Sequence, residues 1–374
     1  MAAGDAKGKL AQIIASAGVI DGRFDGLTPA IVGGQFSIAF FAREIATGKP
    51  VFLKFLDPGY NRDYREQGFH REVEILGRLR GRENIVQIAG EPGVLQLELT
   101  HPATGVSMPI PCHYVAMERA KQDFAAYLMA HRRSPVLHRR LDVVYDAAKG
   151  VGRLHREGYC HRDLKPDNVL LFRGGLGKLG DFGTGRSLVG APLRPDYRWP
   201  VGAFQNAAPE MLCGGWNRRE LFQGADWFSL GAILFEAVTG LNLYVAVGLQ
   251  QDDLLSMIEY FGHLPEDSRL RHYQSVVSDI AGEYPLPSVR DFVGSEPCLA
   301  EASEETLRAL DSLVRALCHF DYRRRSPGFS ETLRGLDIAR GHALIDDRRR
   351  AHRMMRQPRR AGAAGRTVAG AEHD

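Results

Sequence analysis

The chain has 374 residues, 44% of them apolar and 25% charged, with a formal net charge of +3. That length is enough for two lobes and a short tail, and the composition is that of an ordinary globular protein rather than a disordered or fibrous one. So small a charge does not by itself imply a nucleic-acid partner, and no apolar run approaches the length of a membrane span.

The five cysteines, Cys112, Cys160, Cys213, Cys298 and Cys318, are scattered and lack CxxC spacing. This argues against a disulfide framework or a cysteine metal site and for a reducing, cytoplasmic compartment. Lys7 and Lys9 ahead of the apolar stretch 10–20 mimic a secretion signal, but Gln12, Ser16 and Gly18 dilute it. Leu10, Ile13, Ile14 and Ala17 fall at helical spacing and predict a short amphipathic helix packed on the body. From Ile31 to Lys54 the pattern reads strand, glycine-rich turn, strand, turn, strand, with Thr47-Gly48-Lys49-Pro50 as a hairpin connection. Alternation puts Val51 and Leu53 on one face of the last strand and Phe52 and Lys54 on the other. In the helix that follows, Glu72 and Leu76 share a face, as do Ile75 and Leu79. Two strands, 94–99 and 113–117, are predicted around a proline-bearing loop, 101–111. A helix over 124–131 has Asp123 as a candidate N-cap. Leu141, Val144, Ala148, Val151 and Leu154 mark a buried helix over 141–156.

After that helix comes His161-Arg162-Asp163-Leu164-Lys165-Pro166-Asp167-Asn168, followed by the apolar strand 169–172. A loop between a helix and a strand holds its side chains on two rigid flanks, which suits chemistry. Asp163 can accept a proton from a hydroxyl, Lys165 can neutralise charge on a moving phosphoryl group, and Asn168 can ligate a metal through its side-chain oxygen. Asp181-Phe182-Gly183 adds a second acid on a flexible turn, and Ala208-Pro209-Glu210 and Asp226-Trp227-Phe228-Ser229-Leu230-Gly231 come later.

HRDLKPDN with DFG at this spacing is a highly specific signal, and with APE and DWFSLG the chain resembles the eukaryotic-type Ser/Thr protein kinases. The resemblance runs from about residue 25 to 340, tightest in the second half. It implies an α+β, bilobal protein-kinase-like fold: a small β-rich N-lobe with one key helix over 25–120 and a larger helical C-lobe over 121–341. The segment 1–24 precedes them. The tail 342–374, with Arg348, Arg349, Arg350, Arg353, Arg356, Arg359 and Arg360, reads as solvated and partly disordered.

The activity implied is transfer of the ATP γ-phosphoryl group to Ser or Thr hydroxyls of protein substrates. By resemblance, Asp163 is the base and Lys165 its neighbouring cation, while Lys54 is the phosphate ligand paired with Glu72. Asn168 and Asp181 are the Mg²⁺ ligands, Mn²⁺ being an alternative ion. Gly33, Gly34, Phe36 and Ser37 form the glycine-rich loop. Ala39 and Phe52 roof the adenine, Leu170 is its floor, and Met117 is the gatekeeper. Glu118, Arg119 and Ala120 form the hinge, and Asp123 is a ribose contact as well as a candidate cap. His161 is expected to pack under Phe182, Asp226 to anchor its helix against the catalytic loop, and Glu210 to pair with Arg325. The partners implied are a nucleotide and a protein substrate. The basic tail suits an acidic partner, nucleic acid or anionic lipid.

The family pattern is broken in three places. Val32 and Ser37 occupy two of the glycine positions. Phe52 stands where the family keeps alanine and Ala39 where it often keeps valine, so Phe52 either stacks on adenine, with Ala39 compensating its volume, or fills the pocket. Ala203 replaces the threonine that bonds the catalytic aspartate and lysine in Ser/Thr kinases. No Ser or Thr lies between Val189 and Ala207, which leaves Tyr197, Thr184, Ser187 or Asp196 to face Arg162 and predicts activation without phosphorylation. The rival readings are a pseudokinase or nucleotide-binding scaffold, and a small-molecule kinase.

Overall fold

The structure is a computed structural model that describes residues 3–30, 37–57, 63–100, 105–189, 200–325 and 328–356. Helix α1 (Ala3–Ser16) leads to a five-stranded antiparallel sheet of β1 (Phe24–Pro29), β2 (Ser37–Glu44), β3 (Pro50–Leu56), β4 (Gly93–Thr100) and β5 (Ser107–Glu118) in the order β1-β2-β3-β5-β4, with α2 (Asp63–Arg78) between β3 and β4. Val51, Leu53 and Phe55 of β3 are fully buried, and the residues between them are half-buried. The buried set joins Phe24, Phe40, Tyr114 and the α1 residues Leu10 and Ile14 in one apolar cluster, so α1 covers the sheet on that face. Phe52 and Leu56, on the opposite face, pack against the larger cluster that includes Ile75 and Leu76 of α2 and continues through the rest of the molecule.

Two expectations are corrected here. The first strand is Phe24–Pro29, ahead of Ile31, and residues 31–36 lie outside the described ones. Of the predicted loop 101–111, residues 107–111 are strand, since β4 and β5 pair from Gly93↔Tyr114 to Thr100↔Ser107; residues 101–104 lie outside the described ones. Pro109 and Pro111 are tolerated because they stand two apart and turn their ring nitrogens to one side. The neighbour there, β3, reaches only to Tyr114.

The remaining elements are β6 (Gln122–Asp123), α3 (Phe124–Ala130), α4 (His138–Arg156), β7 (Tyr159–Cys160), β8 (Val169–Leu171), β9 (Gly177–Leu179), β10 (Arg186–Ser187), α5 (Pro209–Leu212), α6 (Phe222–Thr239), α7 (Leu243–Ala246), α8 (Gln251–His263), α9 (Glu266–Glu283), α10 (Glu304–Cys318) and α11 (Phe329–Arg356). Helix α6 is buried on almost every side, from Phe222 through Thr239, and α4 and α10 pack against it. A helix apolar all round belongs at the centre of a lobe; α6 ends at Gly240, whose φ of 69° is the left-handed cap that releases the chain. The predicted tail boundary at 342 is also corrected: α11 runs unbroken to Arg356. Residues 357–374, with Arg359 and Arg360, lie outside the described ones.

Candidate active site

The sheet carries the first functional side chain by register. β2 sets Ala39 opposite Lys54 and Phe41 opposite Phe52, and β5 sets Met117 opposite Phe52. Lys54 therefore leaves the face opposite the outer cluster and points toward α2. Its Nζ donates to Glu72 Oε2 at 2.6 Å and to Asp181 Oδ1 at 3.1 Å. Burial alone would lower the lysine's pKa, but the Asp181 and Glu72 carboxylates outweigh it and hold it above the ordinary value. Burial raises the Glu72 carboxyl against the pull of Lys54, whereas the Lys54 charge lowers that of Asp181. The difference follows the neighbouring charges: Asp181 pushes the Glu72 carboxyl further up, whereas His161 and Lys165 add to Lys54 in lowering that of Asp181.

The loop residues His161 to Asp163 are positioned from α6. Asp226 Oδ1 accepts the Arg162 N–H, and Oδ2 accepts both the His161 N–H and His155 Nε2, each at 2.8 Å. His161 is fully buried beside Phe182, with ring centroids 5.1 Å apart. Its Nδ1 accepts the Asp163 N–H at 3.3 Å and its Nε2 faces the Gly180 carbonyl at 3.0 Å, which places the ring proton on Nε2. Arg162 and Asp181 both adopt positive φ, 69° and 58°, so Asp181 itself and Asp163, which follows Arg162, are presented by backbone that few residues adopt readily.

Asp163 Oδ2 accepts Lys165 Nζ and Asn168 Nδ2, each at 3.2 Å, and Asp163 Oδ1 accepts the Ala203 N–H at 2.7 Å. The Asn168 amide nitrogen also donates to the Asp163 carbonyl at 2.7 Å. Its NH₂ is thus committed, leaving the amide oxygen as its free donor atom toward a ligand. Among the described residues no group of three or more His, Cys, Asp or Glu gathers around a metal-sized space. One carboxylate and one amide oxygen are a hard, incomplete set, which fits Mg²⁺ arriving with phosphate oxygens and waters.

The other expected site residues fall as follows. Glu118 gives its N–H to the Gln87 carbonyl at 2.9 Å, and its carboxylate takes the Gln87 N–H at 2.9 Å and Lys178 Nζ at 2.5 Å. Ala120 precedes Lys121, whose N–H bonds the Leu171 carbonyl at 2.8 Å. Asp123 Oδ1 caps α3 through the Ala126 N–H at 2.7 Å, so the cap is the role the geometry displays. Leu170 pairs with Asp123 across β6 and β8. Ser37 stands at the start of β2 opposite Leu56. Gly33, Gly34 and Phe36 lie outside the described residues, as do Val32, Asp196 and Tyr197. Thr184 Oγ1 donates to the His161 carbonyl at 2.9 Å and Ser187 Oγ to the Val189 carbonyl at 2.9 Å, so both hydroxyls serve the local fold. Arg162 reaches the Trp216 carbonyl and lies over the Phe222 ring at 4.4 Å.

Sequence reasoning missed His155, Lys178, Gln87 and the Ala203 N–H. A backbone donor leaves no trace in residue type, and the other three act on partners far along the chain. Glu210 and Arg325 form a two-pronged pair with side-chain exposures of 0% and 3%, holding the 208–210 motif to the lobe core.

The family model described as "Protein kinase domain" matches residues 29–334. The chain is 28% identical over 269 residues to MAP kinase kinase kinase wis4 of Schizosaccharomyces pombe, covering 68% of this chain and 18% of that one. It is 28% identical over 214 residues to serine/threonine-protein kinase PknA of Corynebacterium glutamicum (56% and 42%) and 27% identical over 276 residues to mitogen-activated protein kinase 15 of Xenopus laevis (71% and 43%). The chain thus spans less than half the length of each of these relatives.

Proposed function

From the premise that this chain belongs to the protein kinase domain family, we infer that it transfers the γ-phosphoryl group of ATP to serine or threonine hydroxyls of protein substrates. The observation that carries this reading is Lys54, whose ammonium is held at once by Glu72 of α2 and Asp181 of the opposite lobe. In this reading Lys54 steadies the nucleotide phosphates. Asn168 and Asp181 hold Mg²⁺, or Mn²⁺ in its place; the bound ion neutralises phosphate charge. Asp163 accepts the proton of the acceptor hydroxyl as its oxygen bonds to the γ-phosphorus, and the bridging oxygen departs with ADP. Lys165 offsets the developing charge. Positioning and charge neutralisation are the main demands of such a transfer.

Adenine lies between Ala39 and Phe52 above and Leu170 below, beside Met117 and the hinge at Glu118 and Ala120. The glycine-rich loop assigned by resemblance to Gly33, Gly34, Phe36 and Ser37 serves the phosphates in this reading, and Asp123 retains a second oxygen for ribose. The half-buried Phe52 ring meets Phe41 edge-on at 6.0 Å, directly across the strands. In this reading Phe52 roofs the adenine and the small Ala39 compensates its volume. The Ser/Thr kinases among the relatives and Lys165 support the choice of acceptor. The pinned Glu210 supports protein substrates over small molecules. Five buried thiols and the need for ATP support a cytoplasmic setting. Exposed Arg348, Arg349 and Arg356 at the end of α11 support contact with an acidic partner, nucleic acid or anionic lipid. No helix among the described residues is long and apolar enough to cross a membrane.

Labelled ATP with Mg²⁺ and a generic basic protein acceptor tests the reading. Wild type should label the acceptor, and Asp163→Ala should lower the rate ~10²- to 10⁴-fold, the usual worth of a general base. Nucleotide binding without any transfer would make the protein a scaffold, and label appearing only on a small molecule would make it a small-molecule kinase.

A further inference from the structure

Ala203 brings only a methyl group to a position where a hydroxyl would be expected to steady the catalytic aspartate. Asp163 is nonetheless held there, because the Ala203 main-chain N–H reaches Oδ1 at 2.7 Å, shorter than either bond to Oδ2. We propose that this N–H is the positioning group of the reaction: it turns the Asp163 carboxylate so that one lone pair of Oδ1 faces the acceptor hydroxyl. The proposal rests on the reading of Asp163 as base.

A carboxylate offers about four lone pairs. Among the described residues, Lys165 and Asn168 occupy Oδ2, and Ala203 occupies one place on Oδ1. The place left open is on the oxygen that Ala203 holds. A backbone donor has no side-chain torsion, so it sets that direction more tightly than a rotating hydroxyl, provided the segment carrying it is itself fixed. Its far end is fixed: Ala203 leads through the short turn Phe204–Asn206 into α5, where Glu210 is locked by Arg325.

Gly202 makes the approach possible. Its φ is 87°, and a Cβ there would lie 2.6 Å from the Arg162 carbonyl oxygen and 2.9 Å from Asp163 Oδ1. Any side chain would force the segment off the aspartate.

Three full-length variants test the proposal with labelled ATP and the same protein acceptor: Ala203→Pro, which deletes the N–H; Ala203→Ser, which keeps it; and Asp163→Asn. The observed φ of −79° at Ala203 suits a proline ring, and Gly202 has no Cβ to oppose it. Ala203→Pro should turn over about 10- to 100-fold more slowly than wild type, as expected for one hydrogen bond to a charged group, and Ala203→Ser no more slowly than wild type. The loss should fall on kcat, with the KM values for ATP and acceptor alike within about threefold of each other in the two variants. Equal kcat values, or a loss confined to KM, would overturn the proposal while leaving Asp163 as base. An Asp163→Asn variant as fast as wild type would remove that reading and the proposal together. Should Ala203→Pro melt far below wild type, Gly202→Ala takes its place, with the same kcat loss expected and the same outcomes against it.

Discussion

Asp226 sits inside the C-lobe with both oxygens turned to a loop some sixty residues earlier in the chain. Burial would raise its carboxyl, but the His155 hydrogen bond and charge, together with His161 and the Arg162 N–H, hold it below the ordinary 3.8. Asp226→Asn keeps the shape but turns an NH₂ toward N–H donors, leaving at least one buried donor unmatched. The expected cost is about 2–4 kcal/mol, read from the urea midpoint at constant slope, with a fall in kcat because Asp163 is carried by the same loop. The Asp226 position was legible in the DWFSLG motif. His155 was not, because its partner became visible only when α4 and α6 were packed together.

At the scale of elements, α11 departs furthest from expectation. A run rich in arginine reads as solvated, yet adjacent acids within it bind two other helices. Asp346 Oδ2 accepts the Ser303 N–H and hydroxyl and the Thr306 hydroxyl at the start of α10, at 2.7–2.9 Å. Asp347 Oδ2 accepts the His138 N–H at 3.0 Å and its Nδ1 at 2.6 Å at the start of α4. Arg340 reaches Asp142 at 2.7 Å, and Arg350 pairs with Asp347. Thus α11, which continues beyond the family match ending at residue 334, joins the N-termini of two helices: α4 has no side-chain cap of its own, and the Ser303 hydroxyl that caps α10 is itself held by Asp346. Asp347→Ala should cost about 1–2 kcal/mol, the worth of an N-cap, and a chain ending at residue 341 should lose more. Thermal midpoints of the two against wild type measure this; a truncation as stable as wild type would mean that α11 contributes nothing beyond its first turns. The types of the main helices and strands as far as the strand after Asn168 were legible from periodicity, but their boundaries were not. The β4–β5 hairpin outran its prediction because its prolines meet an open edge, a fact of sheet order rather than of sequence.

Across the whole molecule, the two lobes meet electrostatically at Lys54, and the two carboxylates there respond oppositely to acid. Glu72 has its folded pKa raised, so on acidification it takes up a proton while the pH is still above 4.5. Asp181 and Asp226 have theirs lowered, so their contributions persist until the pH falls below about 3.8. Acid should therefore weaken the Lys54–Glu72 bond, and with it kcat/KM for ATP, before the C-lobe unfolds. Activity and circular dichroism recorded together from pH 7 to 3 should separate into two transitions, and Glu72→Gln should abolish the first; coincident transitions would refute the scheme. The sequence by itself determined which chemical groups this protein carries and their order, because Lys54, Asp163, Asn168 and Asp181 are each read directly from residue type. It also determined which face of the strand at Val51–Lys54 is buried, since a period of two follows directly from residue type. Only the tertiary structure decided which donors those groups receive. The Ala203 N–H on Asp163, the Lys178 ammonium on Glu118 and the α11 acids on two helix ends are contacts between distant segments. Such pairings depend on three-dimensional distance, and a one-dimensional pattern does not carry it.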